Sequence, residues 1–265
     1  DDMVVWSWLA GTAPTADNSA GAGATPTAGS VKIDGSNLGS ALAGTIAATR
    51  LSANTTSGFS IISYTGTGSV ATIAHGLSQK PEWFVIKSID YGRNWLLYNS
   101  PLGATYHLIF DGTNAANTSS SYFNNTEPTA SVITLGTDSL VNDTEDYVAY
   151  CFHSVEGYSK VGSYVGNGNA DGVFIYTGFR PSYIICKNTT LVASWMQYDA
   201  TRSPYNILDA RFMPNTVDAE GSADSFDFLS NGFKNRTSNA NFNADASTYV
   251  YVAFAESPFK YANAR

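Results

Sequence analysis

The chain has 265 residues, a formal net charge of −8 at pH 7 and a pI near 4.7. Binding to nucleic-acid phosphates requires clustered Lys and Arg, and the sequence has no such cluster, so a nucleic-acid-binding function is excluded. No window of about 18 apolar residues occurs, which excludes insertion into a membrane as a helix.

Only 14% of the residues are charged, whereas 13% are aromatic. Long helices are typically rich in Leu, Glu, Lys and Arg, while Tyr, Phe, Val, Ile and Thr favour a pleated, half-buried surface. We therefore predict an all-β fold. The two cysteines, Cys151 and Cys186, lie inside apolar runs, which predicts buried free thiols and leaves a disulfide between them unsupported.

An alternating aromatic pattern, MVVWSWL, occurs near the start of the chain at positions 3–9. The same pattern recurs as YVAYCFH at 147–153 and as YVYVAFA at 249–255. We therefore predict that residues 1–11 are the closing strand of a repeat that begins upstream.

Residues 12–57 are rich in Ala, Gly, Ser and Thr and contain few large apolar side chains. This composition predicts an extended linker that is flexible at least through Ser30, with a short strand at VKI and an extended segment toward Arg50. A helix across ALAGTIAA is the weaker alternative, because its internal Gly and Thr disfavour it.

Residues 58–156 and 157–265 are two copies of one module of about 100 residues. SYTGTG at 63–68 returns as SYVGNG at 163–168, and the register holds without a gap for almost forty positions. The matched pairs include Tyr64 with Tyr164, Pro81 with Pro181, Lys87 with Lys187, Trp95 with Trp195, and Tyr98 with Tyr198. Trp is too rare for this agreement to follow from composition alone.

Each copy contains seven short apolar runs bounded by Gly, Asn, Asp and Pro. Runs of this length predict strands, and their number favours two tandem antiparallel β-sandwich modules, although a barrel would have a similar pattern. The Gly-rich segments TGTG and VGNG are predicted to be hairpin tips, where Gly supplies positive φ.

The repeat also sorts the aromatic residues. A residue present in both copies is predicted to support the scaffold, and this group comprises Tyr64, Tyr164, Trp95, Trp195, Tyr98 and Tyr198. A residue present in one copy is free to serve recognition, because exposed Tyr and Arg suit contacts with sugars or proteins. The predicted recognition residues are Tyr91, Arg93, Tyr122, Phe123, Arg202, Tyr205, Arg211 and Met213.

The sequence contains no convincing catalytic motif. GYSKVG at 157–162 lacks the spacing of a nucleophile elbow, and GNGNADG at 166–172 is not followed by a helix that would direct amides at a phosphate. Carboxylates gather at Asp143, Glu145 and Asp146, where oxygen ligands leave a calcium site open. No other cofactor is expected.

Four strings resemble a family of repeated β modules in virion proteins of tailed bacteriophages, especially marine ones. They are GFSIISYTGTGSVATIAHGL, PEWFVIK, YVAYCFHSVEGYSKVGSY and AFAESPFKYANAR. The resemblance covers residues 58–265, including the two-copy arrangement, whereas the longer Ala/Gly/Thr linker departs from the pattern. Family members often carry further copies or a concanavalin-like lectin domain upstream.

The resemblance implies a structural component of the phage particle, commonly labelled a tail fibre or appendage, and it supplies no catalytic residue. We expect a non-enzymatic virion protein that contacts other virion subunits, forms a homo-oligomer, with a trimer favoured, and presents loops to host-surface glycans. A capsid decoration or cement protein is the alternative. A carbohydrate-active enzyme is a third hypothesis, which requires paired acids in one cleft.

Overall fold

Strands make up nearly all of the regular secondary structure of residues 4–256, the part of the chain that the computed structural model describes apart from the side chain of Asp224. The all-β prediction is confirmed. The first unit comprises Ser7–Ile109 and Asn117–His153, and the second comprises residues 4–6, Phe110–Ala116 and residues 154–256. The module boundaries predicted from the repeat stay a prediction.

The first unit contains eleven strands and one short helix among the described residues. They are β1 (Val31–Ile33), β2 (Ser36–Asn37), β3 (Arg50–Asn54), β4 (Phe59–Thr65), β5 (Ala71–Ala74), β6 (Trp83–Ser88), β7 (Leu96–Asn99), β8 (Tyr106–Ile109), β9 (Asn117–Thr118), α1 (Ser120–Phe123), β10 (Val132–Leu135) and β11 (Asp146–Phe152).

Nine of these strands form one sheet in the order β2-β1-β3-β4-β11-β6-β7-β8-β9, and β10 pairs with β5 in a second sheet. All neighbours are antiparallel except β1 and β3. Ile62 and Ile86 of the large sheet share one core cluster with Ile73 and Leu135 of the small sheet. The core therefore receives side chains from both sheets, as in a sandwich.

Strand β11 illustrates why the sequence adopts this arrangement. Tyr147, Ala149 and Cys151 alternate with less buried residues, and all three belong to the core cluster. Because side chains along a strand point to opposite faces, this period of two directs one face of β11 into the core. Both Cys151 and Cys186 are buried free thiols, as predicted.

The second unit contains eight strands among its described residues. They are β12 (Ser159–Val165), β13 (Phe174–Tyr176), β14 (Pro181–Asn188), β15 (Met196–Asp199), β16 (Leu208–Arg211), β17 (Gly221–Leu229), β18 (Gly232–Asn235) and β19 (Thr248–Ala255). They form two antiparallel sheets, β12-β19-β14-β15 and β13-β18-β17-β16. Ile184 of one sheet and Phe226 and Phe233 of the other share a core cluster.

The repeated Gly-rich segment connects two sheets in each unit. In the first unit it follows β4 of the large sheet and leads to β5 of the small one. The buried side chain of Asn142 holds it: Oδ1 accepts from Thr67 N at 2.8 Å, and Nδ2 donates to the carbonyls of Ser69 at 2.6 Å and Gly136 at 2.8 Å. A Cβ on Gly66 would collide with the Asp143 carbonyl, so only glycine fits there.

The second unit repeats this arrangement around Asn243. Its Oδ1 accepts from Asn167 N at 3.0 Å, and its Nδ2 donates to the Asn169 carbonyl at 2.7 Å. A Cβ on Gly166 would collide with the Ala244 carbonyl. The prediction of hairpin tips is therefore wrong, because the strands on either side of each segment belong to different sheets and do not pair with each other.

A stacked pair of buried tyrosines accompanies each of these asparagines. Tyr64 lies 5.3 Å from Tyr147 between ring centroids, and Tyr164 lies 4.8 Å from Tyr249. Tyr64 and Tyr164 each donate a hydrogen bond to the backbone carbonyl just before the asparagine, at 2.6 and 2.8 Å. Burial raises the pKa of Tyr64 and Tyr164 well above the usual value, so these hydroxyls remain donors.

The segment predicted to be a linker belongs largely to the first unit. Within residues 12–57, β3 pairs with β4, β1 pairs with β3, and Val31, Leu42, Ile46 and Leu51 lie in the core cluster. The prediction of a linker is therefore wrong for this segment, because its strands and apolar residues belong to the first unit. Few large side chains suffice because the segment extends an existing sheet instead of building its own core. The short strand at VKI and the extended segment at Arg50 are confirmed as β1 and β3.

The predicted strand over residues 1–11 is absent from its described part, residues 4–11; residues 1–3 lie outside the described residues. In the first unit, Trp8 packs edge-on against Phe152 at 6.0 Å, and the Leu9 carbonyl accepts a hydrogen bond from Ser57 Oγ at 3.0 Å. These residues are thus held by side-chain packing and single hydrogen bonds, not by a ladder.

Candidate functional site

Five of the six predicted scaffold aromatics are buried, as expected. Trp195, Tyr98 and Tyr198 are completely inaccessible, and Tyr64 and Tyr164 are nearly so. Trp95 is half-buried and stacks on Tyr150. Trp195 also packs against Phe110 in the second unit, with ring centroids 5.1 Å apart.

The predicted recognition residue Arg93 and the predicted metal residue Glu145 bind each other in the first unit. Arg93 Nε donates to Glu145 Oε2 at 2.9 Å, and Nη2 donates to Oε1 in a bidentate pair. Arg93 Nη1 donates to Ser139 Oγ at 2.9 Å, and Ser88 Oγ donates to Glu145 Oε2 at 2.8 Å. Exposed Tyr91 lies beside this pair, with the guanidinium 5.3 Å from its ring centroid.

The hydrogen bonds from Arg93, assisted by one from Ser88, lower the pKa of Glu145 to about 2. The carboxylate is thus neutralised by a side chain of the same unit. Asp143 lies 3.9 Å from Arg93, whereas Asp146 accepts a hydrogen bond from Thr65. Among the described residues, no group of three or more His, Cys, Asp or Glu side chains is placed to hold a metal ion. The calcium site stays a prediction.

Phe123, at the end of helix α1, is a core residue and not a recognition residue as predicted. Phe123 is buried and packs edge-on against Phe84 and Tyr98, at 5.3 and 5.7 Å, so it belongs to the core. Tyr122 is half-buried and lies against His107, with centroids 4.4 Å apart. The polar sequence around these residues suggests a loop, but a single helical turn after Ser119 directs Phe123 inward.

In the second unit, the predicted recognition residues lie in different environments. Tyr205 is 82% exposed. Arg211 lies against the backbone of Gly221, where an added Cβ would approach the guanidinium to 3.0 Å. Met213 packs against the core cluster of this unit. Arg202 lines a cleft.

This cleft has a volume of about 910 Å³. It is lined by Val4, Trp6, Gln197, Asp199, Thr201, Arg202, Phe212 and Glu220. We call it the Arg202 cleft. Its walls come from the N-terminal segment, the end of β15, the turn after β15 and the residues between β16 and β17, all within the second unit.

Asp199 positions Arg202. The fully buried carboxylate accepts hydrogen bonds from the backbone amides of Thr201 at 3.0 Å and Arg202 at 2.9 Å, and from Arg202 Nε at 2.5 Å. The guanidinium stacks over Phe212 at 4.3 Å, and its Nη1 donates to Glu220 Oε2 at 3.1 Å. The turn after β15 thus fixes a cation against an aromatic ring.

Two nitrogen donors of the cleft have no hydrogen-bond partner although both atoms are buried. They are Arg202 Nη2 and Trp6 Nε1. Buried donors are nearly always paired in folded proteins, so these two unpaired donors of the lining call for an explanation.

Sequence comparison within the chain found Arg202 but missed the residues around it. The sequence pattern places Trp6 in a predicted strand, and Phe212 and Glu220 belong to no repeated motif. One signal was available: Asp199 occupies the position of Asn99 in the first copy, and Arg202 that of Leu102. A carboxylate and a cation gained together, three residues apart, indicate a pair that the first copy lacks.

A family model described as "Domain of unknown function (DUF7483)" matches residues 1–258. The chain belongs to this DUF7483 family. The match includes both repeats and the segment before them, so the family is defined over the two units together. No curated protein and no solved structure matches the chain. No helix among the described residues is long and apolar enough to cross a membrane.

Proposed function

We propose that this chain is a non-enzymatic structural protein of a bacteriophage virion, exposed as a tail fibre or appendage module that attaches to glycans of the host surface. The resemblance of residues 58–265 to repeated virion modules motivates the location. The Arg202 cleft supports attachment, because an aromatic wall with a few fixed polar groups is typical of ligand sites. Association with other virion subunits as a homo-oligomer, with a trimer favoured, belongs to the same proposal, because linked copies increase avidity.

The single observation that carries this proposal is the Arg202 cleft, whose Asp199 and Arg202 are replaced by Asn99 and Leu102 in the first copy. Matched residues form the two scaffolds, whereas the paired Asp199 and Arg202 occur once. Both carboxylates in the lining hydrogen-bond to Arg202, an arrangement that favours binding over proton transfer. This is the reason for preferring a binding protein to a glycosidase. Calcium at Asp143, Glu145 and Asp146 is not required by the proposal.

The test is to locate the chain in the intact particle by cryo-electron microscopy and to measure whether the purified full chain competes with particles for adsorption to host cells. We expect density on the tail or on a protruding appendage, together with reduced adsorption. Density absent from the particle would overturn the proposal.

Capsid decoration is the second candidate, and one feature favours it. Strand β13 lies at one end of its four-stranded sheet and exposes Phe174 and Tyr176. Exposed aromatics on an edge strand suit contact with a neighbouring subunit. Density distributed over the capsid lattice, with no effect of the soluble chain on adsorption, would favour decoration over attachment.

A further inference from the structure

The charges in the Arg202 cleft disfavour an anionic ligand. One guanidinium, that of Arg202, faces the two carboxylates of Asp199 and Glu220, so the lining carries a net negative charge. The Arg202 cation is already neutralised by buried Asp199 at 2.5 Å. An acidic ligand would therefore meet an occupied cation and the half-exposed carboxylate of Glu220, which repels it.

The two unpaired donors of the lining would match acceptor oxygens on a ligand. Arg202 Nη2 and Trp6 Nε1 have no protein partner, so an oxygen from a bound group would supply the hydrogen bond that each one lacks. Glu220 and the amide of Gln197 supply acceptors in the same lining. A hydroxyl both donates and accepts, so a polyhydroxylated molecule matches a site with both kinds of group.

The apolar part of the lining suits the carbon face of such a molecule. Phe212 already carries the Arg202 guanidinium on one face. Trp6 is half-buried and tilts against Tyr183 at 5.3 Å between centroids, so its indole lines the cleft with a defined orientation. Rigid aromatic side chains contribute apolar area at low conformational cost.

We propose that the Arg202 cleft binds a neutral saccharide through Trp6, Arg202 and Glu220, and that it discriminates against sialylated, sulfated and other acidic glycans. This inference deepens the proposed function and rests on it for the source of the glycan. It names the site and the chemical class of the ligand.

Two substitutions test the site without removing its support. Trp6→Phe keeps an aromatic ring and deletes a donor that has no partner in the free protein, so folding should be little affected. Glu220→Gln changes a carboxylate whose side chain is 46% exposed. Arg202 itself is a poor choice because its removal would leave Asp199 buried without its ion-pair partner.

Each substitution has a matched control in the same chain. Glu256→Gln alters a carboxylate that is 52% exposed and also paired with an arginine, Arg180, but does not line the cleft. Trp8→Phe makes the same change in an N-terminal tryptophan that packs against Phe152 in the first unit. Circular dichroism melting of all four variants checks that they fold.

The measurement is binding of the full chain to an array of matched neutral and acidic glycans, which includes lactose beside sialyllactose, followed by titration calorimetry of the tightest neutral probe. We expect at least one neutral glycan to bind and its acidic counterpart to bind more weakly. Trp6→Phe and Glu220→Gln should each weaken the neutral probe about threefold to tenfold, the effect of losing one hydrogen bond, while both controls bind like the original chain.

Three results would overturn the inference: no neutral glycan binds, acidic glycans bind at least as tightly, or the folded cleft variants bind unchanged. Failure of the proposed function is separate. If the cleft binds neutral sugars but the chain is absent from the particle, the binding site is supported and the proposed virion role is contradicted. If the chain blocks adsorption and both cleft variants block it equally well, the proposed virion role is supported and the binding site is contradicted.

Discussion

The two units differ in the hydrogen bonds made by the last residue of β6 and the last residue of β14. In the first unit, the carboxylate of Glu145 accepts from Ser88 and binds Arg93. In the second, the repeat places Asn188 at the position of Ser88, and its amide donates to the Tyr249 hydroxyl at 3.0 Å and to the Ala240 carbonyl at 2.9 Å. The polar groups beside a buried tyrosine must be satisfied, and either an ion pair or a neutral amide does so.

This difference limits what the repeat reveals about function. Arg93 is unmatched, because Ala193 stands in its place, yet it serves the scaffold of its own unit. Arg202 is also unmatched, and it lines a cleft with an orphan donor. Absence from one copy therefore selects candidates for recognition, and the hydrogen bonds together with the cleft lining separate a structural arginine from one placed beside a ligand site.

The largest expected effect compares the two matched tryptophans. Trp195→Ala should lower the free energy of unfolding of the second unit by about 3 to 5 kcal/mol, because it empties a fully buried site. Trp95→Ala should cost the first unit only about 1 kcal/mol, because Trp95 is half-buried. Guanidinium titration followed by hydrogen exchange of peptides from each unit measures both. Equal costs would contradict the burial difference.

The next effect concerns the matched asparagines, where the units should behave alike. Asn142→Ala and Asn243→Ala should each cost about 3 kcal/mol, because each leaves several backbone groups without partners. Hydrogen exchange should place the loss in the unit that carries the substitution. The same change at exposed Asn114 is the control and should have almost no effect. A loss in only one unit would show that the repeated arrangement is not equivalent.

The next effect is a dependence of the stability of the second unit on pH, which arises at Lys187. Burial lowers its pKa from 10.5 to about 8, so the unfolded chain retains a proton that the folded chain releases above pH 8. Stability rises with pH wherever the unfolded state binds more protons. The original chain should therefore gain about 2 kcal/mol relative to Lys187→Met between pH 8 and 10. Parallel stability curves in urea over this range would contradict the assignment.

The smallest expected effect is a loss of folding stability of the first unit at acid pH. The ordinary pKa of Glu145 is 4.5, and the hydrogen bond from Arg93 lowers it to about 2 in the folded chain. Its contribution is present above pH 4.5 and is lost as the pH falls toward 2. The first unit of the original chain should lose more stability over this range than that of Glu145→Gln. Hydrogen exchange at several pH values measures the difference, and equal losses would indicate that Glu145 is not paired in solution.

Alternation of apolar residues predicted seven runs in each copy, and every run contains a strand. It missed the short strand β9, and it merged β17 and β18 into one run. It was not sufficient for the Gly-rich segments, because glycine permits a tight hairpin and a close crossing between sheets equally well. Only the position of Asn142 or Asn243, about 75 residues farther along the chain, distinguishes them. The composition of residues 12–57 predicts a linker, because it contains few large apolar residues, but those residues enter a core that other strands supply.

The Arg202 cleft was only partly predictable. Arg202 and Asp199 stand out against Leu102 and Asn99 in the first copy, a signal available from sequence alone. Trp6 is almost 200 residues away from them, and no local pattern indicates that it lines the same cleft. Long-range packing of this kind depends on the assembled fold.

The most direct test of the account is photocrosslinking of the full chain with a neutral oligosaccharide that carries a diazirine, followed by mass spectrometry of the labelled peptides. The account predicts labels around Trp6, in residues 197–202 and in residues 212–220, with competition by the unmodified sugar. Labels confined to the first unit, or to the matched Gly-rich segments, would contradict the claim that recognition belongs to residues that only the second unit carries.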